Sequence, residues 1–267
     1  MDRILSLDGT PIAYNRQGGG APVVLVGGAL STAATDAPLA ALLARRFTVV
    51  TYDRRGRGSS GPGPGDPCVP AREIEDLAAV TGVVDGPVAV FGMSSGGALA
   101  LEAQAAGVPM ELLAVFEPPY TPGVRGRAYK ARCTRELRER LAAGDRGGAV
   151  ELFLGRTGVP PETVARMRRA PLWEGLEALA PTLEYDDALL GDGTPPLGRL
   201  GAVTARTLIV SGGFSADPVR QTALALAEAV PGARHRTLTG QTRELAPHVL
   251  APVLAEFFGR RGLVRQA

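Results

Sequence analysis

The chain is poor in the residues that build metal centres and disulfide scaffolds. Its 267 residues include two cysteines and two histidines. Cys68 and Cys133 lie far apart, which excludes a stapled framework and predicts two unpaired thiols in a cytoplasmic protein. His235 and His248 are the whole stock of imidazoles, so no metal-ligand cluster can be read, and no cofactor is expected. Lysine is nearly missing: Lys130 is the one lysine among 29 basic residues. That bias reflects GC-rich codon usage and bears on no chemistry. The net charge of +2 is spread over interspersed signs, without a basic stripe or an aromatic-interleaved patch, which excludes nucleic acid as a partner. No apolar run reaches the length of a membrane span, and the first residues, "MDRILSLDGT", do not read as a signal peptide. The expectation is a cytoplasmic monomer or homodimer whose partner is a small molecule.

What the chain does have is 45 % apolar residues, ample for one large core. "RILSL" and "PIAYNRQ" flank the turn "DGT" and read as a hairpin. "APVVLVGG", "FTVVTYD", "GPVAVFG" and "MELLAVFE" are short unbroken apolar runs, separated by helical segments. The helix in "STAATDAPLAALLARR" reads as capped by Ser31, and that in "SGGALALEAQAAG" as ending at Gly107. "ARTLIVSGG", "DPVRQTALALAEAV", "ARHRTLTG" and "APHVLAPVLAEFFGRR" resume the alternation. Buried strands alternating with amphipathic helices predict an α/β fold with a mostly parallel, doubly wound sheet. Such sheets bind ligands at the carboxyl ends of their strands.

Between the sixth and seventh strands the alternation stops. Residues 120–200 contain three or four helical segments and no strand pattern, so they read as a helical lid on a core of 1–119 and 201–267. The single tryptophan, Trp173, lies here. It is a candidate pocket residue, although packing between lid and core is the favoured reading.

The chemistry centres on "GMSSGG", residues 92–97, which closes a buried strand and opens a helix. Gly92 and Gly96 permit a tight strand-to-helix turn with Ser94 at its apex, and the N–H of Ser95 then sits at a helix N-terminus, suited to an oxyanion. Taken with "AYNRQGGGAPVVLVGGAL", "TYDRRGRGSS", "FEPPY" and "LAEAVPGARHRTLTGQTREL", this order and spacing resembles the α/β-hydrolase fold family over nearly the whole chain. The small lidded hydrolases of actinobacteria are most similar. The resemblance implies a nucleophile at Ser94 and a second oxyanion donor in the N–H of Ala29. Gly28 and Met93, at positions where relatives often carry histidine or a neighbour of it, join the candidate pocket. Asp53 and the arginines of "YDRRGRGSS" read as braces for their own loop.

Two carboxylates compete for the acid role. Aligned without gaps, the usual position after "TLIVSGG" falls on Ser215. Asp217 follows two residues later and is equally suited to start the next helix. Glu117 ends the strand "LLAVFE", faces the ligand side and is preferred. The base is the difficulty. In the loop "GQTRE" the family's histidine position holds Arg243, which stays protonated and cannot accept a proton from serine. His235 lies within a strand, and His248 lies in the first turn of the last helix. Arg243 could bind a substrate carboxylate, stabilise an enolate, or pair with Glu117 or Glu244. The expected function is therefore non-hydrolytic chemistry on a small, largely apolar carbonyl or ester metabolite: cyclisation, isomerisation, elimination or decarboxylation. The alternatives are a serine esterase or lactonase that recruits His248, and a non-catalytic binding protein that keeps the pocket.

Overall fold

An antiparallel hairpin opens the chain, β1 (Asp2–Leu5) against β2 (Pro11–Gly18), with Ile4 opposite Ile12. The computed structural model describes residues 1–66, 68–242 and 245–260. Six further strands follow: β3 (Ala21–Val26), β4 (Phe47–Tyr52), β5 (Ala89–Met93), β6 (Leu112–Phe116), β7 (Arg206–Gly212) and β8 (Arg234–Leu238). The sheet order is β1-β2-β4-β3-β5-β6-β7-β8, and every pairing from β4 to β8 is parallel.

Each crossover is a helix, as parallel pairing requires. They are α1 (Ala33–Leu43), α2 (Pro70–Thr81), α3 (Ser95–Ala105), then six helices between β6 and β7, then α10 (Asp217–Ala229); α11 (Pro247–Gly259) follows the last strand. The strands are apolar on both faces because both are covered. Val24 and Val26 pack with α2, α3 and α10, whereas Val23 and Leu25 pack with α1 and α11. Among the described residues no helix is long and apolar enough to cross a membrane.

The six inserted helices are α4 (Gly123–Ala142), α5 (Arg146–Arg156), α6 (Pro161–Met167), α7 (Leu172–Leu179), α8 (Leu183–Leu189) and α9 (Leu197–Leu200). This exceeds the three or four expected. "LWEGLEALAPTLEYDDALL" is split by a short 3-10 helix, Ala180–Thr182, at Pro181, whose ring and missing N–H break the α-helical ladder. The insertion has its own core, in which Leu137, Val150, Leu154, Trp173 and Leu183 pack together with Leu30 from the sheet domain. A second correction concerns α1. Thr32, not Ser31, caps it, because the Ser31 hydroxyl donates instead to the Gly28 carbonyl at 2.6 Å.

Candidate active site

The sharp turn at Ser94 is built by close backbone packing. β5 runs into α3 with Ser94 between them at φ +53°, and the Ser94 N–H donates to the Phe116 carbonyl at 2.8 Å. A methyl group at Gly96 would run into the carbonyl oxygens of Val26 and Gly27, and one at Gly92 into that of Gly96. Only glycine lets the helix start this close to the neighbouring strand. Ser95 is the first residue of α3, where amide N–H groups have no intrahelical acceptor. A methyl group at Gly28 would lie 3.3 Å from Ser94 Cβ, so the loop after β3 passes directly over the serine.

Among the described residues the non-glycine positions with positive φ are three: Leu30 at +54°, Ser94 at +53° and Glu117 at +46°. They follow β3, β5 and β6, three adjacent strands of the sheet, at the carboxyl ends. Each costs on the order of 1–3 kcal/mol, and such strain concentrates at functional sites.

A cavity of about 160 Å3 lies between these strand ends and the insertion. Ser94, Ser95 and Ala29 line it from the core, and Tyr129, Leu137, Leu152, Phe153, Arg156, Leu183, Asp186 and Asp187 line it from the insertion. Its walls are mostly apolar, as in small-molecule sites generally. Three expected pocket residues fall outside it. Trp173 is buried within the insertion's core, its indole N–H donating to Glu177 at 2.9 Å. Met93 packs against the core on the α1 and α11 face. Gly28 touches Ser94 from behind, and its neighbour Ala29 forms the wall.

Beneath the cavity sits a buried charge network that sequence reasoning missed. Arg54 grips Glu73 with two hydrogen bonds of 2.6 and 2.7 Å and reaches Asp186 at 2.9 Å, the Ser95 hydroxyl at 3.3 Å and the Gly27 carbonyl at 3.2 Å. Arg57 donates to the other Asp186 oxygen at 2.8 Å and to the Gly28 carbonyl at 2.5 Å. Burial pushes the Asp186 carboxyl upward, but Arg57 and Arg54 outweigh it and hold it below the ordinary carboxylate value. Asp186 therefore stays ionised and ties α8 to the loop over Ser94. Asp53 accepts from the Ser59 N–H inside its own loop and from the Ala33 N–H at the start of α1, so it braces its loop and also ties it to that helix.

Of the two candidate acids, the structure brings only Glu117 to this edge. Its side chain is 2 % exposed, and Oε1 accepts from the Gly212 N–H at 2.8 Å and from the Ser215 hydroxyl. Glu117 Oε2 is also buried and has no hydrogen-bond partner among the described residues. Ser215, at the position where an acid was sought, is thus a donor to the acid of the neighbouring strand. Asp217 is exposed in the first turn of α10 and pairs with Arg220 one turn on, so it does not reach the site. Glu117 does not line the cavity, so any proton it handles passes through another group.

Neither histidine lines the cavity. His235 is partly buried in β8 with Nε2 3.0 Å from the Ser211 hydroxyl, and burial lowers its pKa. His248 is exposed on the first turn of α11. Arg243 and Glu244 lie outside the described residues. The preceding Gln241 carbonyl accepts from the Phe214 N–H at 2.9 Å, so this loop runs beside the Gly212–Ser215 segment that binds Glu117.

Comparison with known proteins agrees with this geometry. A model of the alpha/beta hydrolase family matches residues 23–254. An alpha/beta hydrolase from Sphaerobacter thermophilus DSM 20745 is 50 % identical with a TM-score of 0.87, covering 96 % of this chain and 100 % of that one. An esterase from Exiguobacterium antarcticum, 17 % identical, has a TM-score of 0.75 over 96 % and 98 % of the two chains. An enol-lactonase from Burkholderia xenovorans LB400, 20 % identical, has a TM-score of 0.67 over 96 % and 99 %. The last two likenesses are of fold alone.

Proposed function

The chain belongs to the alpha/beta hydrolase family, and from that premise we propose that it acts on a small, largely apolar carbonyl compound without a serine–histidine relay. The observation that carries this reading is that neither histidine lines the cavity that Ser94 enters. A serine hydroxyl is a weak nucleophile until a base takes its proton. Here Ser94 acts as a hydrogen-bonding group. The N–H groups of Ala29 and Ser95 polarise the carbonyl, and the apolar walls strengthen that field by excluding water. Glu117, one of whose oxygens has no hydrogen-bond partner among the described residues, is the carboxylate of this site, and Arg243 stands in the sequence where the family's base is expected. A site that stabilises negative charge on a carbonyl oxygen without covalent attack suits isomerisation, elimination, decarboxylation or ring closure.

The strained elbow favours a second reading, a serine esterase or lactonase with a non-standard base. The two separate cleanly. A fluorophosphonate probe labels an activated serine, and such a serine also turns over p-nitrophenyl acetate. The proposal expects no labelling and turnover no faster than that of Ser94→Ala. Labelling or robust hydrolysis that disappears in Ser94→Ala would return the protein to the esterases. The polarising role has its own readout: an aryl ketone bound beside Ser94 should show a lowered carbonyl stretching frequency, and an unshifted band would remove that half of the proposal.

A further inference from the structure

Among the described residues, the insertion's side of the cavity carries a cation with no hydrogen bond, Arg156. Arg156 ends α5 and lines the cavity with its side chain 21 % exposed. Its nearest carboxylate oxygen, Asp187 Oδ1, is 3.8 Å away, beyond hydrogen-bonding distance. Asp187 is already neutralised elsewhere. Lys130 Nζ lies 2.8 Å from the same oxygen, and the Thr134 hydroxyl donates to the other at 2.7 Å. The Arg156 guanidinium makes no hydrogen bond among the described residues. A guanidinium offers five donors in a rigid fork. In a mostly apolar cavity such a group has a use only if a ligand brings the acceptors.

We infer that Arg156 anchors a carboxylate of the substrate, so that the molecule acted on at Ser94 is a small monocarboxylic acid bearing its reacting carbonyl at the other end. This rests on the reading of Ser94 as the carbonyl site. The planar fork matches a planar carboxylate through two parallel hydrogen bonds. Asp186 and Asp187 also line the cavity, but each is already compensated, Asp186 by Arg54 and Arg57 and Asp187 by Lys130. That leaves one cation to match one carboxylate. The cavity of about 160 Å3 limits the rest of the ligand to roughly one ring or a short branched chain.

The test is binding, independent of any reaction. Phenylacetate, its neutral isostere phenylacetamide and 2-phenylethanol would be titrated calorimetrically into wild type, Arg156→Lys and Arg156→Ala at low salt. The inference expects phenylacetate to bind wild type about ten-fold or more tighter than the amide. It expects that preference to fall to within about two-fold in Arg156→Ala and to survive in part in Arg156→Lys, which keeps the charge and loses the fork. Equal affinity for acid and amide in wild type, or no phenylacetate binding at millimolar concentration, would overturn it. So would a preference that persists in Arg156→Ala with an unchanged unfolding midpoint. Fluorophosphonate labelling of Ser94 would overturn the non-hydrolytic reading and leave the anion site standing. Loss of the anion preference would do the reverse.

Discussion

Asp36 offers the sharpest test of the electrostatics behind the loop over Ser94. It sits in the first turn of α1, where the helix dipole favours a negative charge. Its surroundings oppose one. Oδ2 is buried without a partner among the described residues and lies 2.8 Å from where a methyl group on Gly27 would sit. Burial first, and the charge of Asp53 second, push its carboxyl from the ordinary 3.8 up to about 7. A raised acid value means the folded protein holds a proton that the unfolded chain has released between about pH 4 and pH 7. Stability therefore falls as pH rises through that window, and levels off above about 7. The slope is about 1.4 kcal/mol per pH unit. Over some three units the full loss is about 4 kcal/mol, and part of the residue is exposed, so about 2–4 kcal/mol is the working figure. Asp36→Asn cannot ionise. By urea unfolding it should already exceed wild type by about 1 kcal/mol near pH 4.5, and the gap should widen to that figure by pH 8. Other titrating groups cancel in the difference. A stability difference that is the same at both pH values would refute the reasoning.

Other consequences follow from single contacts. Gly96→Ala drives a methyl group into the Val26 and Gly27 carbonyl oxygens, which belong to the backbone and have no rotamer to yield; a loss of about 1–3 kcal/mol or more in urea unfolding is expected, and an unchanged midpoint would contradict the close approach of α3. Asp186→Asn leaves Arg54 and Arg57 short of a buried counter-charge and should cost about 3–5 kcal/mol. Thermal unfolding with intact α-helical content at room temperature would read that loss, and a neutral outcome would show that Arg54 and Arg57 do not depend on the Asp186 charge. Arg243→His restores an imidazole at the position where the family's base is expected, so weak hydrolysis of p-nitrophenyl acetate dependent on Ser94 should appear. A folded variant with neither hydrolysis nor fluorophosphonate labelling would remove Glu117 as the acid or residue 243 as the base position.

Strand and helix order was legible because buried parallel strands write themselves as short apolar runs, and the glycines of the turn at Ser94 announce a backbone approach that nothing larger permits. The site was legible where one residue's position fixes its role. Ser94 and Glu117 end adjacent strands, with Met93 paired to Phe116 in register, so their proximity follows from the sheet. What sequence could not supply was pairing across long separations. Ser215 looked like a missing acid and is a donor to Glu117, 98 positions away in the chain. Arg54 and Arg57 read as local braces, yet their partner Asp186 comes from α8, more than 120 residues later. Asp186 itself carries no motif. The arginine-rich composition disguises the few arginines that are buried, because exposed and buried ones look alike in sequence. Trp173, favoured as packing between lid and core, is buried in the insertion's own core.

The energetics weigh on whether the cavity is in use. Leu30, Ser94 and Glu117 each hold a backbone conformation that costs on the order of 1–3 kcal/mol. Glu117 adds a buried oxygen without a partner among the described residues, a further cost of about 1–3 kcal/mol. Arg156 adds a cation in an apolar wall with its donors unspent. Glu117 Oε1 does bind the Gly212 N–H, and Leu30 does pack in the insertion's core, so part of this cost is returned as structure. A protein of ordinary stability has only about 5–15 kcal/mol in hand, so these terms are a large fraction of it. The positive-φ residues lie along one strand-end edge, and Arg156 lies in the wall of the same cavity. Strain at Ser94 aims its hydroxyl, and the Arg156 fork, without a hydrogen bond among the described residues, suits a carboxylate. That arrangement fits a pocket in use better than one left over after its chemistry was lost.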